Sequence, residues 1–299
     1  MHVIPVKTGI SLFINDAMQI IDSHQHFWKY NSKDFDWITD GMSVIRKDFL
    51  PAELQSVYKA NDVEGCVAVQ VNQTEDENNF FLSFADQFDF IKGIVGWVDL
   101  MAENIEERLT YWHQHKKIKG FRHILQGEKD RVLMLKPSFT NGISFLKKFD
   151  FTYDILIFPD QLQHALELVK LFPDQKFVID HLAKPYIKAG KIDDWKKDTG
   201  QFKHHENVYC KISGMVTEAD WKNHSSETFK PYIDVVTETF GTKRMMFGSD
   251  WPVCLVAATY DQVLQIAANY FLSFSSTEKD DIFYNNAVVF YNLPGVLHK

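Results

Sequence analysis

Eight short apolar runs of strand length, separated by stretches of helical spacing, are the strongest constraint on how this 299-residue chain can fold. The runs are Gln19–Ser23, Gly65–Val71, Gly93–Val98, Ile118–Arg122, Tyr153–Ile157, Phe177–Ile179, Val208–Ile212 and Met245–Phe247. Between them, apolar residues recur at the spacing of one helix face. Phe80, Phe81, Phe84, Ala85 and Phe88 make one such stripe; Leu162, Ala165, Leu166 and Val169 make another. Pro51 opens a helix where its missing N–H costs nothing, and Ser275-Ser-Thr-Glu278 has the capping-box pattern. Strands alternating with helices pair in parallel, and eight βα units close a (β/α)8 barrel of about 250 residues. A doubly wound sheet is the alternative. It often carries a Gly-x-Gly-x-x-Gly phosphate turn, and this sequence has none. The expected architecture is one α/β domain, a single (β/α)8 TIM barrel over residues 18–299 with extra C-terminal helices. Residues 1–17 read as an N-terminal extension.

In such a barrel, reactive groups stand where strands end, at the C-terminal rim. The first run leads into His24 and His26. Side chains two apart share a face, so both imidazoles project together and can hold a divalent cation or bind an oxyanion. The second run ends in Gln70 and Asn72, and the fourth in Arg122 and His123. Adjacent strand residues point opposite ways, which leaves open whether Arg122 or His123 faces inward. The sixth run ends in Asp180, His181 and Lys184, the seventh in Lys211 and Ser213, the eighth in Ser249, Asp250 and Trp251. Phe-Gly-Ser-Asp-Trp-Pro sets the Asp250 carboxylate directly past an apolar strand, which favours chemistry over helix capping. A lysine inside a parallel strand is costly unless paired or at a rim, so Lys211 is expected to face the cavity. Lys184 reads equally as a solvated charge or a site residue. Trp28 and Trp251 suit packing more than stacking, yet stand close enough to the motifs to count as candidate contacts. Asp22 and Asp180 are expected to orient neighbours, and Lys29–Phe49 to loop over the barrel mouth.

The net charge of −8 and the lack of a Lys/Arg cluster argue against nucleic acid or an anionic membrane surface as partner. No apolar run reaches membrane-spanning length. Cys66, Cys210 and Cys254 are far apart and odd in number, which makes a disulfide framework improbable. A cytoplasmic enzyme, monomeric or homodimeric, is the default expectation.

The stretches Ile-Asp-Ser-His-Gln-His-Phe-Trp, Gly-Phe-Arg-His, Val-Ile-Asp-His-Leu-Ala-Lys-Pro, Tyr-Cys-Lys-Ile-Ser-Gly and Met-Phe-Gly-Ser-Asp-Trp-Pro-Val together resemble the amidohydrolase superfamily. The likeness runs from about Gln19 to Leu293 and points to its branch of sugar lactonases and pyrone-dicarboxylate lactonases. It implies a (β/α)8 barrel that hydrolyses a cyclic ester, a sugar lactone such as L-fuconolactone or L-rhamnonolactone. By this resemblance the His-x-His pair is His24 and His26, the sixth-strand histidine is His181, and Asp250 is the carboxylate that activates water. Arg122, His123, Gln70, Asn72, Lys184, Lys211, Trp28 and Trp251 are the candidate substrate contacts. Metal-dependent relatives usually add a ligand at the fourth strand and a histidine at the fifth. Here those positions read Arg122-His123 and Tyr153-Asp-Ile-Leu-Ile, so a two-metal centre is not expected. The implied cofactor is none, or one divalent ion such as zinc on His24, His26, His181 and Asp250. Few arginines stand near the motifs, which favours a neutral sugar lactone as the small-molecule partner. The alternatives are a metal-dependent decarboxylase or hydrolase of an aromatic or dicarboxylic acid on the same barrel, and a non-catalytic barrel that binds sugar acids.

Overall fold

The computed structural model describes residues 19–295; the extension expected at residues 1–17 lies outside them. Eight strands follow in chain order: β1 (Ile20–Gln25), β2 (Val63–Val69), β3 (Ile91–Gly96), β4 (Ile118–His123), β5 (Thr152–Ile155), β6 (Phe177–Ile179), β7 (Val208–Ile212) and β8 (Met245–Phe247). Each pairs in parallel with the next, so spatial order is sequence order. The helices α1 (Pro51–Ala60), α2 (Glu75–Ala85), α3 (Ile105–His113), α4 (Pro137–Leu146), α5 (Leu162–Leu171) and α6 (Asp193–Gly200) connect the first seven strands. A short α7 (Met215–Glu218) and the longer α8 (Ser226–Phe240) lie between β7 and β8, and α9 (Tyr260–Tyr270) follows β8. Among the described residues no helix is long and apolar enough to cross a membrane.

Caps set several helix starts. Thr74 accepts from the Asp76 amide at α2, and Thr259 with Gln262 boxes the start of α9. The capping box at Ser275 does open a helix, α10 (Ser276–Asp280). It runs through a π turn (Asp281–Asn285) into α11 (Asn286–Phe290) rather than continuing as one regular helix. Tyr284, Ala287, Val288 and Tyr291 from this segment pack with Ile21, Val67, Val95, Val178 and Met246 as one apolar cluster. The larger core packs the strands' other faces against the helices.

The barrel closes between β1 and the chain just past β8, and the seam is polar. Asp250 N donates to His24 O at 2.8 Å and His26 N to Trp251 O at 2.7 Å. Beneath them Asp22, wholly buried, accepts from Ser249 N at 2.9 Å, Ser249 Oγ at 2.6 Å, Tyr58 OH at 3.0 Å and His24 N at 3.2 Å. Burial pushes the Asp22 carboxyl up to about 6 against the pull of those four hydrogen bonds.

The stretch Lys29–Phe49 does run over the mouth. Trp28 bridges to Phe49, and its ring packs on Phe35, Trp37 and Phe49. A 3-10 turn at Asp40–Ile45 then packs on the Val253–Val256 turn that follows β8.

Removing the Asp22 carboxylate strands several buried donors, each costing about 1–3 kcal/mol. Asp22→Ala should lower unfolding free energy by about 3 kcal/mol or more in urea titrations, and Asp22→Asn by clearly less. A loss below about 1 kcal/mol in the alanine variant would mean that the seam does not depend on this residue.

Candidate active site

Strand alternation decides which polar residues enter the barrel. Arg122 stands opposite Asp154 in the β4–β5 register, and both point inward. His123 therefore turns outward, onto the Phe139 ring of α4, where its Nε2 meets Glu128 at 2.8 Å. This settles the choice between the two in favour of Arg122.

At the barrel centre four buried charges interlock. Lys211 Nζ lies 2.5 Å from Asp154 Oδ2 and 3.0 Å from Asp180 Oδ1. Arg122 Nη1 lies 3.0 Å from Asp180 Oδ2, and its Nη2 donates to Gln70 O. Tyr291 OH closes the lower end on Asp154 at 2.8 Å. Burial raises both carboxyls, but Lys211, His24 and Arg122 together outweigh it at Asp180 and hold that group well below the usual range. At Asp154 burial wins over Lys211, and its carboxyl stands at about 6. The expectation that Lys211 faces the cavity is met only in part: it points into the barrel, but its side chain has no exposure.

His24 rests on this cluster. Its Nδ1 lies 3.3 Å from Asp180 Oδ1 and 3.2 Å from Lys211 Nζ; its Nε2 lies 3.2 Å from Arg122 Nη1. Burial, only partly opposed by Asp180, keeps the His24 ring neutral by lowering its pKa well below the ordinary value. His26 Nδ1 donates to Val69 O at 2.7 Å, which turns Nε2 towards Asp250 Oδ1 at 3.2 Å. Asp250 Oδ1 is also 3.9 Å from His181 Nε2 and 4.0 Å from His24 Nε2. Burial raises the Asp250 carboxyl, but His181, His26 and Lys184 together outweigh it, and it stays ionised at neutral pH.

His181 owes its place to an unusual backbone. His181, Leu182, Ala183 and Lys184 all have φ between +51° and +57°, one left-handed turn directly after β6. Such a conformation costs non-glycine residues roughly 1–2 kcal/mol each. Hydrogen bonds hold it: Lys184 N to His181 O at 2.7 Å, Trp195 Nε1 to Leu182 O at 2.7 Å, and His181 Nδ1 with Ser213 Oγ at 2.9 Å. Gly214, itself at φ +65°, must be glycine, because a Cβ there would stand 2.4 Å from His181 Nδ1. Burial lowers the His181 pKa to about 4.

Above these groups opens a cavity of about 420 Å³, with His26, Arg122, His181, Lys184 and Asp250 in its wall. Trp37, Met42, Ile124, Leu156, Trp221 and Val253 supply much of its apolar lining. Of the candidate substrate contacts, Arg122 and Lys184 reach this wall. Gln70 is buried and donates to Arg122 O at 3.0 Å, and Asn72 bonds Glu77. Trp28 donates to Lys47 O, and Trp251 fills the gap between Phe27 and Phe49. These four, with His123 and Lys211, do not line it among the described residues. Asp154, Glu218 and Trp221 are not marked as site residues by the sequence, and Trp37 is marked only as part of the loop expected over the mouth. Asp154 left a signal there, a carboxylate inside the apolar run Tyr153–Ile157.

One donor atom each from His24, His26 and Asp250 lie within 4.8 Å of one another, a group able to hold a metal ion. His26 Nε2 and Asp250 Oδ1, 3.2 Å apart, are an imidazole nitrogen and a carboxylate oxygen, the ligand types that zinc takes. The donor set therefore fits one divalent ion. His181 stands beside this group, its Nε2 3.9 Å from Asp250 Oδ1 and its ring centroid 4.3 Å from that of His24.

Fold and site together define a (β/α)8 barrel whose candidate active site gathers side chains from the ends of β1, β6 and β8. The chain belongs to the amidohydrolase family, whose model matches residues 21–293. An L-fucono-1,5-lactonase of Burkholderia multivorans is 36% identical over 285 residues, covering 92% of this chain and 96% of that one. An L-rhamnono-gamma-lactonase of Scheffersomyces stipitis is 28% identical over 200 residues, 59% of each chain. The crystal structure of an amidohydrolase from Burkholderia multivorans with bound zinc has a TM-score of 0.89 at 36% identity, covering 92% of this chain and 100% of the other.

Lys211→Met should cost about 3–5 kcal/mol, because it leaves Asp154 and Asp180 short of their shared cation. Adding Asp154→Asn should recover part of that loss, a positive coupling read from a double-mutant cycle of unfolding free energies. Additive effects would show that Lys211 and Asp154 do not act as a pair.

Proposed function

We propose that this protein is a lactonase that opens a neutral sugar lactone such as L-fucono-1,5-lactone, with Asp250 activating the attacking water. The observation that carries this reading is one ionised carboxylate at the cavity wall, ringed by three imidazoles at 3.2, 3.9 and 4.0 Å. The lactonase relatives, alike over nearly the whole chain, support it.

The lactone carbonyl lies in the cavity with its oxygen towards Arg122 and His181. In this reading His181 Nδ1, 2.9 Å from Ser213 Oγ, accepts from that hydroxyl and carries its ring proton on Nε2, the nitrogen that faces Asp250. Asp250 takes a proton from water as the water oxygen attacks the carbonyl carbon. Negative charge develops on the carbonyl oxygen, where Arg122 and His181 Nε2–H stabilise it. The ring C–O bond then breaks, and Asp250 returns its proton to the departing ring oxygen. The product is an open-chain hydroxy acid, which ionises and releases one proton to the medium. His24, His26 and Asp250 would hold a divalent ion, which when bound supplies further positive charge for the oxyanion. The reaction's partner is a small molecule, and a cytoplasmic location belongs to the same reading.

Proton release in a pH-stat with a panel of aldonolactones checks the activity. Wild-type protein should acidify the medium with at least one neutral lactone, and Asp250→Asn should lose a factor of about 10² or more in turnover. Near-normal turnover in that variant sinks the role given to Asp250. Zinc should also raise the melting temperature of chelator-treated protein, as any ligand that binds only the folded state does. His26→Ala should abolish that rise.

A further inference from the structure

We infer that the Lys184–Glu218 pair binds the ring hydroxyls of an uncharged lactone and turns away lactones bearing a carboxylate. This deepens the lactonase reading and rests on it. Lys184 Nζ lies 3.2 Å from Glu218 Oε1, and the two side chains are 17% and 21% exposed. Both line the cavity that holds His181 and Asp250. Neither is placed by chance of rotamer alone. Lys184 ends the left-handed turn that begins at His181, and Glu218 ends α7, whose N-cap, Gly214, lies beside the His181 ring. The backbone that positions the reactive imidazole therefore also positions this pair.

One contact between them leaves hydrogen-bonding capacity on both sides. An ammonium has three donors and a carboxylate two acceptor oxygens, so ligand hydroxyls can be bound by both at once. Gln126 Oε1, buried and without a hydrogen-bond partner, adds an acceptor in the same wall. The charge balance points the same way. Arg122 is committed to Asp180 at 3.0 Å and Lys184 to Glu218. Among the described residues, each lysine or arginine lining the cavity thus already has a carboxylate partner. The positive charge of these side chains is already balanced, so an incoming carboxylate adds unbalanced negative charge beside Glu218 and Asp250. A neutral polyol ring meets neither penalty. Glu218 thus acts as the repulsive element that specificity needs alongside attraction.

The test compares a neutral aldonolactone with the lactone of an aldaric acid, at one fixed metal loading so that any bound ion contributes equally. Glu218→Gln should raise KM for the neutral lactone about tenfold with kcat within about threefold. It should also raise kcat/KM for the carboxylate-bearing lactone, swinging the preference by about 10². Lys184→Gln should weaken the neutral lactone without any gain for the charged one. An unchanged preference in Glu218→Gln, or a fall in kcat at constant KM, overturns the inference. If the wild type opens no lactone, the proposed function fails, and calorimetry with the neutral δ-lactam of the same sugar decides this point separately. Tenfold weaker lactam binding by Glu218→Gln upholds the pair's role, whereas equal affinity, or no binding by either protein, overturns it.

Discussion

The buried charge cluster at the barrel centre is the constraint on which the rest of this structure depends. Arg122, Asp154, Asp180 and Lys211 come from β4, β5, the end of β6 and β7, and all are nearly or wholly shielded from water. A buried ion left without its partner is strongly destabilising, so each residue holds its neighbours to one geometry. Four adjacent strands are tied across the barrel interior in this way, above the apolar plug built by Tyr284, Val288 and Tyr291. The same cluster carries His24. Its ring is neutral and held by Asp180, Lys211 and Arg122, so the floor of the site is rigid before any ligand arrives.

The site also coincides with the seam of the barrel. β1 and the chain past β8 are joined by backbone hydrogen bonds at His24 and His26 and by the Asp22 carboxylate beneath. The residues that close the barrel are thus the immediate neighbours of the candidate site residues. Two further groups are set by backbone conformations that their side chains disfavour: the turn from His181 to Lys184, and Asp250 at φ +58°. Strain of this kind persists only where surrounding contacts over-determine it. Here Trp195, Ser213 and Gly214 hold the His181 turn.

Strand existence was legible because each run is apolar and short, and because helices intervene. β6, β7 and β8 fall on the expected residues, while β2 and β3 begin and end two residues earlier than their apolar runs suggest. The gathering of His24, His26, His181 and Asp250 was also legible, because a closed barrel brings strand ends together whatever their sequence separation. The candidate substrate contacts were less so. Spacing shows that a residue lies near a strand end but not how deep it sits. Lys211 lies below the cavity, and Trp28 and Trp251 are consumed in packing against Phe27, Phe35 and Phe49. Glu218 and Trp221 stand in a β7–α8 connection that has no periodicity to mark it.

By itself, then, the sequence determined the parallel (β/α)8 architecture, through hydrophobic period, and the residue types available at the rim. Tertiary structure alone decided that Arg122 rather than His123 enters the barrel. It also decided that Asp154, Asp180 and Lys211 neutralise one another beneath the site, and that Lys184 meets Glu218. The physical reason is range. Periodicity records each residue's preference for water or core, whereas ion pairing and left-handed turns are settled between residues that meet only once the barrel has closed.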